Sequence, residues 1–222
     1  MTAATVPPTS TSPSDLPRPP VGRRIGILGG SFNPAHAGHL HISRQALDVL
    51  GLDEVWWLVS PQNPLKPKAG MAPLDTRVED AQSTVRGAGW AGRRIRVTDI
   101  ETRLATRYTA DTLTALKALY PGRHFVWLMG ADNLIQIPAW KGWQAIFRML
   151  PIAVFPRPTY SLRALGSQAA RTFGAARLTG ARAAKALANG RLAVMKPPVW
   201  VFLDVRPHGA SATRIRRDRP DS

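Results

Sequence analysis

Apolar positions along the chain recur in two alternating periods. Residues 25–28 form a short continuous apolar run, the pattern of a buried strand. Leu40, Ala46, Leu47 and Leu50 then recur at helical spacing. The alternation repeats downstream. Strands are predicted at 55–59, 95–98, 124–129, 152–155 and 199–203, and helices at 74–85, 109–119 and 143–148. In the second helix Arg77 and Glu79 are expected to face outward, and Thr109 is the expected N-cap of the third. Residues 161–189 are Ala-rich with basic residues spaced through them, which predicts a long helix or helix pair interrupted at Gly174 and Gly180. Ser211 is placed to cap a last short helix. There is no internal repeat.

Strands separated by helices imply an α/β, doubly wound (Rossmann-like) parallel sheet in a single domain, covered on both faces and joined by right-handed crossovers. Ligands in such sheets bind beyond the carboxyl ends of the strands, where the strand order switches. Gly29, Pro61, Gly130 and Ser211 each follow a predicted strand, so the motifs around them converge on one composite site. The expected division is a Pro/Ser/Thr-rich disordered tail at 1–22, the domain at 23–217 and a short tail at 218–222.

Composition narrows the classes. The chain has 222 residues, 44% of them hydrophobic, enough for one domain with a substantial core. It has no cysteine, which removes disulfides, thiolate metal sites and a cysteine nucleophile, and suits a reducing cytoplasm. No apolar stretch approaches the roughly 18 residues of a membrane span. The N-terminal stretch has neither the apolar core nor the basic start of a secretory signal. Thirty Lys and Arg against 14 Asp and Glu leave a net charge of +16. Between Leu150 and Arg217 the one acid is Asp204. Such charge fits a phosphorylated small substrate, nucleic acid or a solvated basic surface, and does not choose between them.

The chemistry concentrates at Gly29-Gly30-Ser31-Phe32-Asn33-Pro34-Ala35-His36-Ala37-Gly38-His39. A glycine pair closes a strand and two histidines one turn apart open a helix. Glycine allows close backbone approach, and a helix start favours an anion. Neither G-x-G-x-x-G nor the P-loop is present. What remains, G-G-[ST]-F-[DN]-P-x-H-x-G-H, resembles the nucleotidyltransferases that build dinucleotide cofactors from ATP, in the form of the nicotinate-nucleotide adenylyltransferases.

That resemblance spans about residues 25–217 and implies adenylyl transfer from ATP to nicotinate mononucleotide, giving nicotinate adenine dinucleotide and pyrophosphate. Mg2+ would travel on the ATP phosphates, with no protein side chain assigned to it. By the same resemblance Gly29, Gly30, Ser31 and Phe32 line ATP, and His36 and His39 contact its phosphates. Ser211, Thr213 and Arg216 add phosphate contacts, with Ile215 near adenosine. This second segment resembles I-S-S-T-x-I-R, with Ala210 and Ala212 replacing the isoleucine and the second serine. His36, His39 and Arg216 would carry catalysis. Asn33, Lys66, Tyr108, Thr109, Asp132 and Trp140 would bind the mononucleotide: Tyr108 and Thr109 present backbone N–H groups to the pyridine carboxylate, Asp132 meets the ribose region and Trp140 stacks on the ring. Arg107 stands where the family usually has a small hydroxyl residue.

The transfer itself needs no general base, because the second phosphate pKa is about 6 and the nucleophile is already ionised. Positioning and charge stabilisation carry such chemistry. Two alternatives stay open: nicotinamide mononucleotide or another phosphate-bearing precursor as acceptor, and a basic RNA-binding module. The latter explains the charge but not H-x-G-H. A homo-oligomer is compatible with the sequence.

Overall fold

The structure is a computed structural model and describes residues 19–61 and 70–208. Lys66, Ser211, Thr213, Ile215 and Arg216 therefore lie outside the described residues.

Among the described residues seven strands make one sheet: β1 (Arg24–Gly30), β2 (Glu54–Val59), β3 (Ile95–Thr98), β4 (His124–Gly130), β5 (Ile152–Phe155), β6 (Arg177–Leu178) and β7 (Trp200–Phe202). Their order is β3-β2-β1-β4-β5-β7-β6, and every pairing is parallel. The order switches between β1 and β4, which pair from Arg24 with His124 to Leu28 with Leu128. Side chains alternate between two cores. Ile25, Ile27, Trp56, Leu58, Phe125, Trp127 and Met129 face one side. Leu28, Val55, Trp57, Val59, Val126 and Leu128 face the other. Because both faces are buried, the strands read in sequence as continuous apolar runs.

Nine helices connect and cover the sheet among the described residues: α1 (Ala37–Val49), α2 (Leu74–Arg86), α3 (Ile100–Arg103), α4 (Thr109–Leu119), α5 (Ala131–Gln136), α6 (Trp143–Met149), α7 (Ser161–Leu165), α8 (Gln168–Thr172) and α9 (Gly180–Leu187). Helices α1, α2 and α9 pack with the second core, and α4, α5, α6 and α8 with the first. This is the doubly wound arrangement expected from the alternation of periods.

Three expectations are corrected. Residues 161–189 form no long helix. Gly166 ends α7, and the Ser167 hydroxyl accepts from the Ala170 N–H at 3.3 Å to start α8. Leu178 then joins the sheet as part of β6, so pairing with β7 overrides the alanine-rich helix propensity. Arg77 does not face outward: it is 2% exposed. Burying a charge costs several kcal/mol unless its hydrogen bonds are made, and its guanidinium donates to four backbone carbonyls. Thr109 is not the cap of α4. Tyr108 holds that position, and no side chain caps it.

Candidate active site

The site is built at the carboxyl edge of the sheet, around the switch between β1 and β4. Gly29 and Gly30 are the last residues of β1. A Cβ on Gly29 would stand 2.7 Å from Trp127 Cη2, so this glycine admits a ring from β4. A Cβ on Gly30 would meet only Phe32, at 3.4 Å. The chain then turns at Phe32, whose φ of +46° is strained for a side-chain-bearing residue. Burial holds it there. Phe32 is 1% exposed, stacks on Trp57 at 5.0 Å and lies 4.6 Å from the His39 ring. The Asn33–Pro34 peptide is cis. The Asn33 side chain donates to the Gly70 carbonyl at 2.9 Å and accepts from the Ala72 N–H at 3.3 Å. It ties the turn to the segment before α2.

His36 and His39 cap α1 reciprocally. His36 is the N-cap, and its Nδ1 accepts from the Gly38 N–H at 3.1 Å. His39 Nδ1 accepts from the His36 N–H at 3.2 Å. An accepting Nδ1 carries no proton, so each neutral ring carries its proton on Nε2. The rings lie 3.9 Å apart. Ser43 supports the pair from below: it accepts from Trp57 Nε1 at 2.7 Å and donates to the His39 carbonyl at 2.9 Å. Burial, then the Arg157 cation, then His208 lower the His36 pKa from 6.5 to about 4. The imidazole is thus neutral at physiological pH and presents a fixed N–H donor.

A cleft opens beside this pair. It is lined by Gly38, His41 and Ile42 of α1, by Phe155, Pro156 and Arg157 after β5, and by Val205, Arg206 and His208 after β7. Burial lowers the His208 pKa, and His41 and Arg157 lower it further. A cleft that carries the Arg157 and Arg206 cations is suited to a polyanion. Sequence reasoning missed Arg157, His41 and His208. The rule that picked out the ends of the other strands would have found Arg157 just past β5.

The second half of the site faces α4. Tyr108 is half-buried, with Lys141 Nζ 4.5 Å and Arg107 Cζ 5.7 Å from its ring centroid. Lys141 follows Trp140, which is half-buried and meets Trp127 edge-on at 6.4 Å. Trp127 is the ring against Gly29. A continuous line of contacts therefore joins the glycine turn to the start of α4. Asp132, at the start of α5, lies 3.5 Å from Arg157 Nε, and Gly130 gives the pair room against the strand end. The structure thus gathers Gly29, Gly30, Ser31, Phe32, Asn33, His36, His39, Tyr108, Thr109, Asp132 and Trp140 along one edge.

A family model described as cytidylyltransferase-like matches residues 27–218. The chain is 51% identical over 195 residues to a Parvibaculum lavamentivorans protein named "Probable nicotinate-nucleotide adenylyltransferase", covering 88% of this chain and 92% of that one. The chain belongs to the cytidylyltransferase-like family, among the nicotinate-nucleotide adenylyltransferases. A Roseobacter denitrificans protein of the same name is 51% identical over 90% of this chain and 95% of its own length. In fold, this member of the family is similar to a Plasmodium falciparum nicotinic acid mononucleotide adenylyltransferase complexed with NaAD. That match has a TM-score of 0.64 at 16% identity and covers 88% of this chain and 83% of the other. No helix of the described residues is long and apolar enough to cross a membrane.

Proposed function

We propose that the protein transfers the adenylyl group of ATP to nicotinate mononucleotide, giving nicotinate adenine dinucleotide and pyrophosphate. The observation that carries this reading is the mutually capped pair His36 and His39 at the switch point, two neutral imidazoles with their protons on Nε2 beside a cationic cleft. A phosphate oxygen of the acceptor attacks the α-phosphorus of ATP. The bond from that phosphorus to the bridging oxygen breaks, and pyrophosphate leaves with the electron pair. Donors fixed in place stabilise the charge that spreads over the phosphoryl oxygens without reorganising during the step. Relatives at about half identity bear the name of this activity.

ATP occupies the side of α1, with His36 and His39 at its phosphates and Arg157 adding positive potential. Ser211, Thr213, Ile215 and Arg216 belong to the same side of the proposal, and Lys66 to the acceptor's. When bound, Mg2+ would be carried by ATP and would supply charge neutralisation at its phosphates. The side chains that line the cleft on both sides, His41, Arg157 and His208, are nitrogen groups suited to phosphate.

The acceptor lies toward α4. An uncapped helix start with Arg107 and Lys141 near its first residue favours the carboxylate of nicotinate over the neutral amide of nicotinamide. Charge-assisted hydrogen bonds contribute roughly 1.5–3 kcal/mol, so kcat/KM should favour the acid by about 10- to 100-fold. Pyrophosphate release measured side by side on the two mononucleotides tests this. Preference for the amide overturns the acceptor assignment. RNA binding without pyrophosphate release overturns the activity.

A further inference from the structure

Two buried side chains, the Arg77 guanidinium and the Glu101 carboxyl, meet on one residue between the halves of the site, and neither is used in the transfer described above. Ser60, the first residue past β2, donates its N–H to the Gly30 carbonyl at 2.9 Å. Its carbonyl accepts from Arg77 Nη1 at 2.7 Å. Its hydroxyl and that of Thr112 hydrogen-bond the Glu101 carboxyl, which burial pushes above the usual carboxylate range. Arg77 also holds the carbonyls of Ser31 at 2.7 Å, Pro61 at 3.0 Å and Ala72 at 2.9 Å. Glu101 is 9% exposed, and its backbone carbonyl accepts from the Thr106 N–H at 3.0 Å. Thr112 lies 2.8 Å from the Thr106 hydroxyl and 3.3 Å from the Tyr108 carbonyl.

The geometry has a direction. Arg77 reaches the turn that leads to His36 and His39. Glu101 reaches the loop that ends at Tyr108. Ser60 is bonded to both. Among the described residues Arg77 makes no ion pair, and both side chains are held by neutral groups, which fixes backbone positions in several directions at once. A buried charge is a costly way to gain stability alone, since apolar replacements of similar volume often serve as well.

We propose that Arg77, Ser60 and Glu101 form a positioning clamp that sets the phosphate half of the site against the acceptor half. None of the three touches substrate. The clamp acts through Ser31 and the α1 turn on one side, and through Thr112, Thr106 and Tyr108 on the other. In-line transfer depends on the separation of the two reactants, so the clamp governs acceptor binding and turnover separately. This inference rests on the adenylyl-transfer reading.

Steady-state kinetics on full-length variants test it. Glu101→Leu should raise the KM for nicotinate mononucleotide at least 10-fold and leave the KM for ATP within twofold. Glu101→Gln, which keeps an oxygen acceptor, should stay within threefold of wild type. Arg77→Lys should lower kcat at least 10-fold with smaller changes in either KM. Ser60→Ala removes one hydroxyl, leaves the carbonyl to Arg77, and should raise the mononucleotide KM about threefold; it decides the matter if Glu101→Leu does not fold. Both KM values moving together, or none moving in folded variants of an active wild type, overturns the clamp and leaves the proposed function standing. A wild-type protein that releases no pyrophosphate from ATP and nicotinate mononucleotide overturns that function and the clamp with it.

Discussion

Helices α1 and α4 both begin at the carboxyl edge of the sheet, yet they treat their first turns differently. In α1 the N–H groups of His36, Gly38 and His39 are spent within the helix start. Gly38 donates to His36 and His36 to His39, while the His39 N–H meets the His36 carbonyl at 2.9 Å. In α4 no side chain caps the start. A capped start cannot offer its amides to an anion, but it fixes the capping rings and decides which nitrogen of each is protonated. An uncapped start keeps its amides for a ligand. On this reading α1 meets phosphate through imidazole, whereas α4 meets carboxylate through backbone. One edge thereby serves two anions of different shape.

The largest expected effect breaks the α1 half of the comparison. His39→Ala removes a donor aimed at developing charge, so kcat should fall on the order of 10²- to 10³-fold. The same change removes one cap bond, which costs roughly 1 kcal/mol and leaves the protein folded. Turnover with urea denaturation in parallel checks both. Near-normal kcat in the folded variant would remove His39 from the transition state.

A second test uses the protons on the caps. His36 binds a proton below about 4 when folded, against 6.5 for an ordinary histidine. Between those values the unfolded chain holds more protons, so stability rises with pH across this window and is lost as pH falls through it. The gap corresponds to roughly 3 kcal/mol. His36→Asn keeps an N-cap oxygen and does not titrate, so its urea midpoint should decline less than that of wild type between pH 6.5 and 4. Identical declines would show that burial does not hold the imidazole neutral.

Much of this difference was out of reach of the sequence, for identifiable reasons. Strands buried on both faces are continuous apolar runs, so β1 to β5 and β7 were legible to within a residue or two. β6 was not, because two residues in an alanine-rich stretch give no period. The spacing of His36 and His39 showed that they share a face of α1. It did not show that each caps with Nδ1, since that depends on the extended backbone of His36, at φ −154° and ψ 170°. Arg77 looked like a surface cation because helical spacing cannot register four carbonyls supplied by separate segments. The glycine at 29 was read as room for a ligand, whereas the room is taken by Trp127, a neighbour set by strand order.

Thr109→Pro sharpens the α4 half. Position 109 is the first helical residue, where proline is well tolerated, and Tyr108 at φ −117° and ψ 140° already has the backbone that precedes a proline. The substitution deletes one N–H with little effect on the helix. Efficiency on nicotinate mononucleotide should fall about 10-fold, the effect of one charge-assisted hydrogen bond at the low end of its range. Efficiency on the amide should change little, so the preference narrows. An unchanged acid-to-amide ratio would mean that Arg107 and Lys141, rather than backbone, select the carboxylate.

The smallest expected effect is the matching change in α1. Ala37 is likewise the first helical residue, is exposed, and follows an extended residue. Ala37→Pro removes its N–H but leaves the Gly38 bond to His36 and the His36 bond to His39, which depend on other amides. If imidazoles rather than amides meet the phosphates here, kcat and the KM for ATP should each stay within twofold of wild type. The pair of proline variants therefore asks one question of two helix starts. A 10-fold loss in Ala37→Pro would show that α1 also binds its anion through backbone, and the division of labour between the two starts would collapse into a single mode.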